Sequence, residues 1–394
     1  MSAKPLVAGV GMIPFAKPGQ SDSWDEMGAR AAKLALEDAG LGYADVQQAY
    51  VGYVYGDSTS GQSALYEVGI TGIPIFNVNN NCSTGSTALF LARQAVEAGI
   101  VDVALALGFE QMTPGALQAV FTDRKPAMFK FMEPMAECQQ PDPNAPGAAQ
   151  FFGGAGREYQ EKFGASNETF ARISVKARQH AVRNPLAIFR NELTLEEVMA
   201  APHIYGPLTR FQCCPPTCGA AAAIIVSPAY ARKKGLTGLV EIAGQSLTTD
   251  TGSTFAPPSM MNVVGFDMAR HAAASVYEQA GAGPEDVQVV ELHDCFTANE
   301  LITYESLGLC GEGQAERFIL DGDNSYGGRI VTNPSGGLLS KGHPLGATGL
   351  AQCFELVNQI RGNAGQRQVE NVSHALQHNL GLGGACVVTM YKRA

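Results

Sequence analysis

The chain repeats itself. Glu37-Asp-Ala-Gly-Leu-Gly-Tyr-Ala-Asp45-Val-Gln47 matches Glu278-Gln-Ala-Gly-Ala-Gly-Pro-Glu-Asp286-Val-Gln288, a shift of 241 positions counted from Glu37 to Glu278. Each copy follows an alanine-rich helical stretch, residues 27–36 and 268–277, and each runs into an apolar strand, Ala49-Tyr-Val-Gly-Tyr-Val and Val289-Val-Glu-Leu. A glycine that closes a helix and an aspartate before a strand suit a C-cap and a turn. A second pair follows in the same order. Cys82-Ser-Thr-Gly-Ser-Thr-Ala-Leu aligns with His343-Pro-Leu-Gly-Ala-Thr-Gly-Leu at a shift of 261, counted from Cys82 to His343. Each opens a helical pattern, Leu89, Ala92 and Val96 in one and Leu350, Cys353, Leu356 and Val357 in the other. The change from 241 to 261 puts twenty extra residues between the matched segments of the second half.

A duplicated alternation of strand and helix predicts two α/β halves built alike. Val103-Ala-Leu-Ala-Leu and Ala385-Cys-Val-Val-Thr-Met read as strands buried on both faces. Residues 113–209 differ in character, with Pro141-Asp-Pro-Asn-Ala-Pro and a charged helical pattern over 170–182. They read as an inserted loop domain, a common seat of substrate-shaping elements. The expected division is therefore residues 1–112 with 210–240 as the N-terminal half, 113–209 as the insert and 241–394 as the C-terminal half.

Composition narrows the function. With 394 residues and 45% hydrophobic content the chain can bury two or three packed units. A net charge of −10 argues against nucleic acid but leaves room for a local basic patch that holds an anionic ligand. No apolar run reaches the roughly eighteen residues of a membrane span. Residues 1–10 lack a signal-peptide pattern and lead into a strand, and Tyr391-Lys-Arg-Ala is not a peroxisomal address. Nine cysteines in this setting predict reduced thiols and a cytoplasmic protein.

The chemistry gathers in four glycine- and asparagine-rich places. Asn77-Val-Asn-Asn-Asn-Cys82-Ser-Thr-Gly reads as a sharp strand-to-helix turn with Cys82 at its crest. Duplication makes Cys82 and His343 equivalent, each at a helix N-terminus, whose partial positive charge lowers the pKa of a thiol. A nearby imidazole then completes a nucleophile–base pair. Asn333-Pro-Ser-Gly-Gly-Leu-Leu-Ser-Lys-Gly-His343 carries more glycine than a chain tolerates unless backbone must approach something closely. Glu291-Leu-His293-Asp-Cys295-Phe follows a strand and presents His293 and Cys295 two residues apart, on one side of an extended backbone. Gln377-His378-Asn379-Leu-Gly381 precedes the last strand, and its amides are candidate oxyanion donors. His378 reads equally as a core histidine and stays outside the catalytic set. Cys213-Cys214-Pro-Pro-Thr-Cys218 has no second ligand cluster, so no metal is expected. Gly9-Val-Gly11 lacks the third glycine of a dinucleotide site.

Asn81-Cys82-Ser-Thr-Gly, Gly342-His343-Pro-Leu-Gly-Ala-Thr-Gly and the final glycine turn resemble the signature blocks of the thiolase family. His293-Asp-Cys295-Phe is similar to the block of the sterol-carrier-protein type, where better-known thiolases carry Asn-Glu-Ala-Phe. The resemblance implies duplicated βαβαβαββ halves in a five-layered αβαβα thiolase fold, and a homodimer. It implies no bound cofactor and no metal, with acyl-CoA and coenzyme A as substrates. Cys82 then attacks the 3-keto carbon of a 3-oxoacyl-CoA, and His343 takes the thiol proton and helps bind the thioester oxygen. Cys295 serves as the acid/base, and His293 stands at the first oxyanion hole. The amides of Cys82 and Gly381 form the second. Two departures stand out: Asn379 occupies the usual place of the acid/base cysteine, and Cys218 stands where an aspartate is general. A lipid-transfer domain often follows this type of thiolase; none is implied for residues 1–394, though a partner protein of lipid metabolism is compatible.

The expected function is CoA-dependent cleavage of medium, long or branched 3-oxoacyl-CoA, including sterol side chains, to acetyl- or propionyl-CoA and a shortened acyl-CoA. The alternatives are a condensing, ketosynthase-like enzyme, for which Asn379 and His378 speak weakly, and a catalytically weak acyl-CoA-binding subunit. Arg172, Lys176 and Arg178 are candidates for the CoA phosphates, against the stronger reading of a solvated helix face.

Overall fold

The computed structural model describes residues 4–115, 117 and 121–394. Residues 1–3 of the leading segment, and residues 116 and 118–120 of the expected insert, lie outside the described residues.

Twelve strands are described: β1 (Leu6–Met12), β2 (Gln48–Gly52), β3 (Ile75–Val78), β4 (Val103–Glu110), β5 (His203–Tyr205), β6 (Leu208–Thr209), β7 (Gly219–Val226), β8 (Val240–Thr248), β9 (Val289–Glu291), β10 (Val331–Thr332), β11 (His374–Gly381) and β12 (Ala385–Arg393). Ten of them form one hydrogen-bonded run, β10-β9-β11-β12-β8-β1-β7-β4-β2-β3. Read from its two ends, the run has the same order twice. β3-β2-β4-β7-β1 and β10-β9-β11-β12-β8 are each the third, second, fourth, fifth and first strand of a half. In strand pairing the halves join where β1 pairs with β8 over Leu6–Glu241 and Val7–Val240.

Helices complete five layers. Trp24–Ala39 covers β1, β4 and β7 on one outside, and Phe266–Ala280 covers β8 and β12 on the other. Between the sheets lie Thr84–Glu97 and Thr348–Arg361, touching each other and strands of both halves. Apolar side chains divide accordingly. One cluster fills each outer interface, and a third, with Leu89, Val96, Leu350 and Leu356, fills the middle. The central helices approach closely because glycines face each other. A Cβ on Gly85 would stand 2.7 Å from the Gly346 carbonyl, and one on Gly349 would stand 2.1 Å from Ser86 Oγ. The result is the thiolase fold.

The first internal match holds residue for residue. Gly40 and Gly281 both close their helices in the left-handed conformation, at φ 65°. The second match slips. The paired central helices begin at Thr84 and Thr348, a shift of 264 and not 261, so Cys82 corresponds to Gly346. His343 lies four residues before the N-cap Ala347, in a loop, and not at a helix N-terminus. The letter match had aligned Gly and Thr residues that fall at different turns of the two helices.

Between β4 and β7 the described residues form Phe129–Cys138, Gly147–Phe163, Asn167–Ala181, Leu195–Met199 and the β5–β6 hairpin. Phe151, Phe152, Tyr159, Phe170 and Ile173 join the apolar cluster of the C-terminal half. Lys176 and Arg178 are buried, which overturns both readings of them. Lys176 pairs with Glu300 and reaches Thr332 Oγ1 at 2.6 Å. Arg178 bonds Asn191 Oδ1 at 2.9 Å and lies over the Phe189 ring. Arg172 is exposed and paired with Glu168, so only it keeps the solvated character.

Candidate active site

Cys82 is the residue before the N-cap Ser83 of the central helix Thr84–Glu97. Asn81 reverses the chain there at φ 51°, a left-handed conformation that asparagine tolerates better than most side chains. Its amide donates to Asn79 Oδ1 at 2.9 Å, and its Nδ2 donates to the Leu382 carbonyl at 2.8 Å. The Cys82 turn is thereby tied to the final glycine turn, 301 residues away in the chain. Gly381 makes that approach possible, since a Cβ on it would stand 2.2 Å from the Asn80 carbonyl.

His343 is held from both sides. Its amide donates to Thr217 Oγ1 at 3.0 Å, and its Nδ1 lies 2.7 Å from Thr348 Oγ1. The Thr348 hydroxyl gives its one proton to the Pro344 carbonyl at 2.9 Å. It therefore accepts from Nδ1–H, and Nε2 is left as a free lone pair. Nε2 is buried with no hydrogen-bond partner among the described residues, and it faces the cleft beside Cys82.

His293 meets His343 edge to face, with ring centroids 5.0 Å apart. Its Nδ1 lies 3.0 Å from Asn379 Nδ2, which also donates to the Cys82 carbonyl at 3.1 Å. An amide nitrogen donates, so Nδ1 accepts and the ring's N–H is Nε2, on the cleft side. Cys295 shares the cleft wall, and Cys214 beside it donates its amide to the Cys295 carbonyl at 2.9 Å. The cleft has a volume of about 270 Å³. Met112, Phe152, Ile204, Pro216, Phe296 and Leu345 make it mostly apolar, with Arg210 among its lining residues.

Burial sets the resting protonation. It pushes the Cys82 thiol up to about 12, helped by the nearby Glu110 carboxylate, while the amides of Cys82 and Leu382 pull the other way. The expectation of a thiol lowered by the helix terminus therefore fails. Desolvation outweighs that terminus, and the helix begins two residues beyond Cys82. Burial, then Lys341, brings His343 down to about 3, and burial and the neighbouring histidines hold His293 well below its ordinary value. Cys295 is driven well above its ordinary value by burial and by the sulfurs of Cys214 and Cys82. The site rests as neutral thiols and neutral imidazoles. His378 is buried on the other face of β11, its Nδ1 3.4 Å from the His293 amide.

Cys82, His293 and His343 bring their ligand atoms within 4.8 Å of one another, close enough to suggest a metal. The donor set does not suit one. A neutral ligating histidine points a lone pair at the ion and gives its other N–H to an acceptor. His343 meets that pattern, but His293 turns its lone pair to Asn379 and its N–H to the cleft.

Sequence reading passed over four residues at this site. Glu110 ends β4 and accepts the amides of Val54, Tyr55 and Gly346 at 3.0, 2.9 and 3.0 Å, bridging the halves beneath Cys82. Burial pushes its carboxyl up to about 7. An acid closing a wholly apolar strand was the available signal. Thr348 lay inside the glycine-rich motif, Cys214 was weighed only as a metal ligand, and Asn379 was seen as a missing cysteine and a weak sign of a condensing enzyme, not as a partner of His293.

Residues 6–228 match the family model for the thiolase N-terminal domain, and residues 252–391 match that for the thiolase C-terminal domain-like family. Sterol carrier protein 2 of Bos taurus is 53% identical over 390 residues, covering 98% of this chain and 72% of that one. Benzoylsuccinyl-CoA thiolase subunit BbsB of Thauera aromatica is 35% identical over 98% of this chain and 96% of its own. Among solved structures, the Ltp2-ChsH2(DUF35) aldolase superposes with a TM-score of 0.84 at 26% identity, covering 99% of this chain and 97% of that one. Human mitochondrial 3-ketoacyl-CoA thiolase in complex with CoA superposes at 0.72 and 19% identity, covering 100% and 98%.

Proposed function

The chain belongs to the thiolase family of acyltransferases, and from that premise we propose that it cleaves 3-oxoacyl-CoA with free coenzyme A through an acyl-enzyme on Cys82. The observation that carries this reading is the meeting of Cys82, His293 and His343 within 4.8 Å, in an apolar cleft shared with Cys295. His343 Nε2 takes the Cys82 proton as the sulfur attacks the 3-keto carbon, so the thiolate exists only in the encounter with substrate. The alkoxide formed at C3 is held by the amides of Cys82 and Gly381. When C2–C3 breaks, its electrons pass to C2 and the thioester oxygen, where His293 Nε2–H and the His343 imidazolium donate. The Cys295 thiol then protonates C2 and releases acetyl-CoA, or propionyl-CoA from a 2-methyl substrate. Free CoA enters and gives its thiol proton to the Cys295 thiolate. The CoA sulfur then takes the acyl group, and Cys82 recovers its proton from His343.

The apolar walls favour medium, long or branched acyl groups, and the likeness to sterol carrier protein 2 extends the candidates to sterol side chains. The likeness to a CoA-bound thiolase supports CoA as co-substrate. We further propose a cytoplasmic homodimer. The half-exposed edge strand β3, with Phe76 outward, supports the pairing, which light scattering in solution checks. Among the described residues, no helix is long and apolar enough to cross a membrane.

The deciding experiment follows loss of 3-oxoacyl-CoA enolate absorbance on adding CoA, over a series of straight and branched chains. CoA-dependent loss is expected; a silent enzyme across the series removes the thiolysis reading. The superposition on an aldolase assembly favours a second reading, a partner-dependent carbon–carbon lyase. That activity consumes 3-hydroxyacyl-CoA without free CoA, so chromatography of the acyl-CoA species after incubation with each substrate, with and without CoA, separates the two.

A further inference from the structure

We propose that Asn379 is a positioning residue that holds His293 in its Nε2–H form, and that a buried polar chain behind it dictates which way its amide faces. The thiolase reading enters only in what that N–H does during turnover; the tautomer itself rests on hydrogen bonds alone.

The chain has one consistent direction. Tyr391 O–H donates to Gln377 Oε1 at 2.5 Å. Gln377 Nε2 donates to the Gly349 carbonyl at 2.7 Å and to Ser86 Oγ at 2.8 Å. Ser86 O–H donates to Asn379 Oδ1 at 2.8 Å, and Asn379 Nδ2 spends its two protons on the Cys82 carbonyl and His293 Nδ1. Ser86, Gln377, Asn379 and Tyr391 are all fully buried, so water cannot substitute for a mismatched partner. The carbonyls of Gly349 and Cys82 anchor the sense, because a carbonyl only accepts. Turning the Asn379 amide over would set Oδ1 against the Cys82 carbonyl, two acceptors about 3 Å apart, and would take away the acceptor of the Ser86 hydroxyl proton. The same amide thus grips the backbone of the nucleophile and selects the proton on its electrophilic neighbour.

Asn379→Asp tests this, since it keeps the shape and removes both N–H groups. The carboxylate accepts from His293 Nδ1–H, and a lone pair now faces the cleft where a proton stood. Loss of one oxyanion donor lowers kcat roughly 10²–10³-fold, with KM moving only a few-fold. The discriminating readout is pH. A carboxylate against the ring favours the imidazolium, which again carries Nε2–H, so the variant regains rate as pH falls. The other titratable groups around His293 are His343, His378, Cys82, Cys295 and Cys214; the two histidines stay neutral and do not compete for that proton. A merely structural role gives a loss that does not recover in acid.

Nitrogen NMR of ¹⁵N-histidine-labelled wild type, with His293 assigned from the signal missing in His293→Gln, reads the tautomer without any turnover or any Asn379 variant. An Nε2–H signature is expected. An Nδ1–H signature overturns the proposal even if thiolysis is strong. An Nε2–H signature in a protein without thiolase activity leaves the positioning intact and removes the reading of the reaction.

Discussion

The two turns that open the central helices hold equivalent places in the two halves and do not share a design. On the N-terminal side, Asn80, Asn81 and Cys82 run straight into the helix, and the turn is held by its backbone bonds and by the side chains of Asn81 and Asn379. On the C-terminal side, residues 341–347 make a buried loop ahead of the helix, and His343 is held through its amide by Thr217 and through its side chain by Thr348. The three-residue slip between them puts an imidazole, and not a second thiol, against Cys82. The N-terminal half contributes the sulfur; the C-terminal half contributes His293, Cys295, His343, Asn379 and Gly381. Duplication supplied a frame with two helix ends meeting at its centre, and divergence gave those ends complementary chemistry.

The comparison breaks most sharply at Cys82. Cys82→Ala is expected to lower turnover at least about 10⁴-fold, as removal of a covalent nucleophile does. Intact-protein mass should then show no acyl adduct on mixing with 3-oxoacyl-CoA, where wild type gains one. An adduct that survives the substitution would move the nucleophile elsewhere in the cleft. Cys295→Ala tests the C-terminal contribution, with an expected loss of roughly 10²–10⁴-fold for a general acid/base. The adduct is the sharper reading, because Cys82 and His343 remain able to attack. A variant near wild-type rate assigns the proton to Cys214, whose amide already touches the Cys295 carbonyl, or to His378 behind His293.

Much of this was legible in the sequence, for a physical reason. A helix, its left-handed glycine, a short turn and a strand form a local unit, so Glu37 to Gln47 and Glu278 to Gln288 announce the duplication wherever they occur. The convergence of Cys82, His343, His293 and Cys295 followed from motif and resemblance. The register of the second match did not, because Gly, Ala and Thr repeat too often to mark a helix start. The Asn379–His293 and Glu110–Gly346 bonds span 86 and 236 positions and leave no periodic trace. Lys176 and Arg178 misled because burial of a paired cation is a tertiary outcome that a helical charge pattern does not signal.

Glu110 sharpens the comparison at the seam between the halves. Its carboxylate accepts two amides from its own half and one from the loop carrying His343. Glu110→Gln keeps the volume but sets an amide NH₂ against one or more of those donors. The expected cost is about 1–3 kcal/mol, the price of a buried donor left unpaired, read as a lowered Tm. An unchanged Tm would show that this carboxylate bridge adds nothing to the seam made by the β1–β8 pairing and the apolar middle layer.

The smallest effect leaves turnover untouched and asks how the N-terminal turn sets its sulfur. A helix terminus that lowered the thiol would give Cys82 a carbamidomethylation rate that levels off by about pH 8. Burial and Glu110 instead push the thiol up to about 12, so the neutral form dominates throughout that range. The thiolate fraction, and with it the alkylation rate, should then climb about tenfold per pH unit from 7 to 10 without levelling. His343, brought down to about 3, stays neutral over the same span, so it neither supplies a charge that lowers the thiol nor adds an inflection of its own. Peptide mass spectrometry isolates Cys82 from the other eight cysteines. His343→Ala should leave the profile unchanged, even though it removes the base needed in turnover. A plateau that vanishes in His343→Ala would mean that the two turns exchange their proton before substrate arrives, and the resting site would be an ion pair.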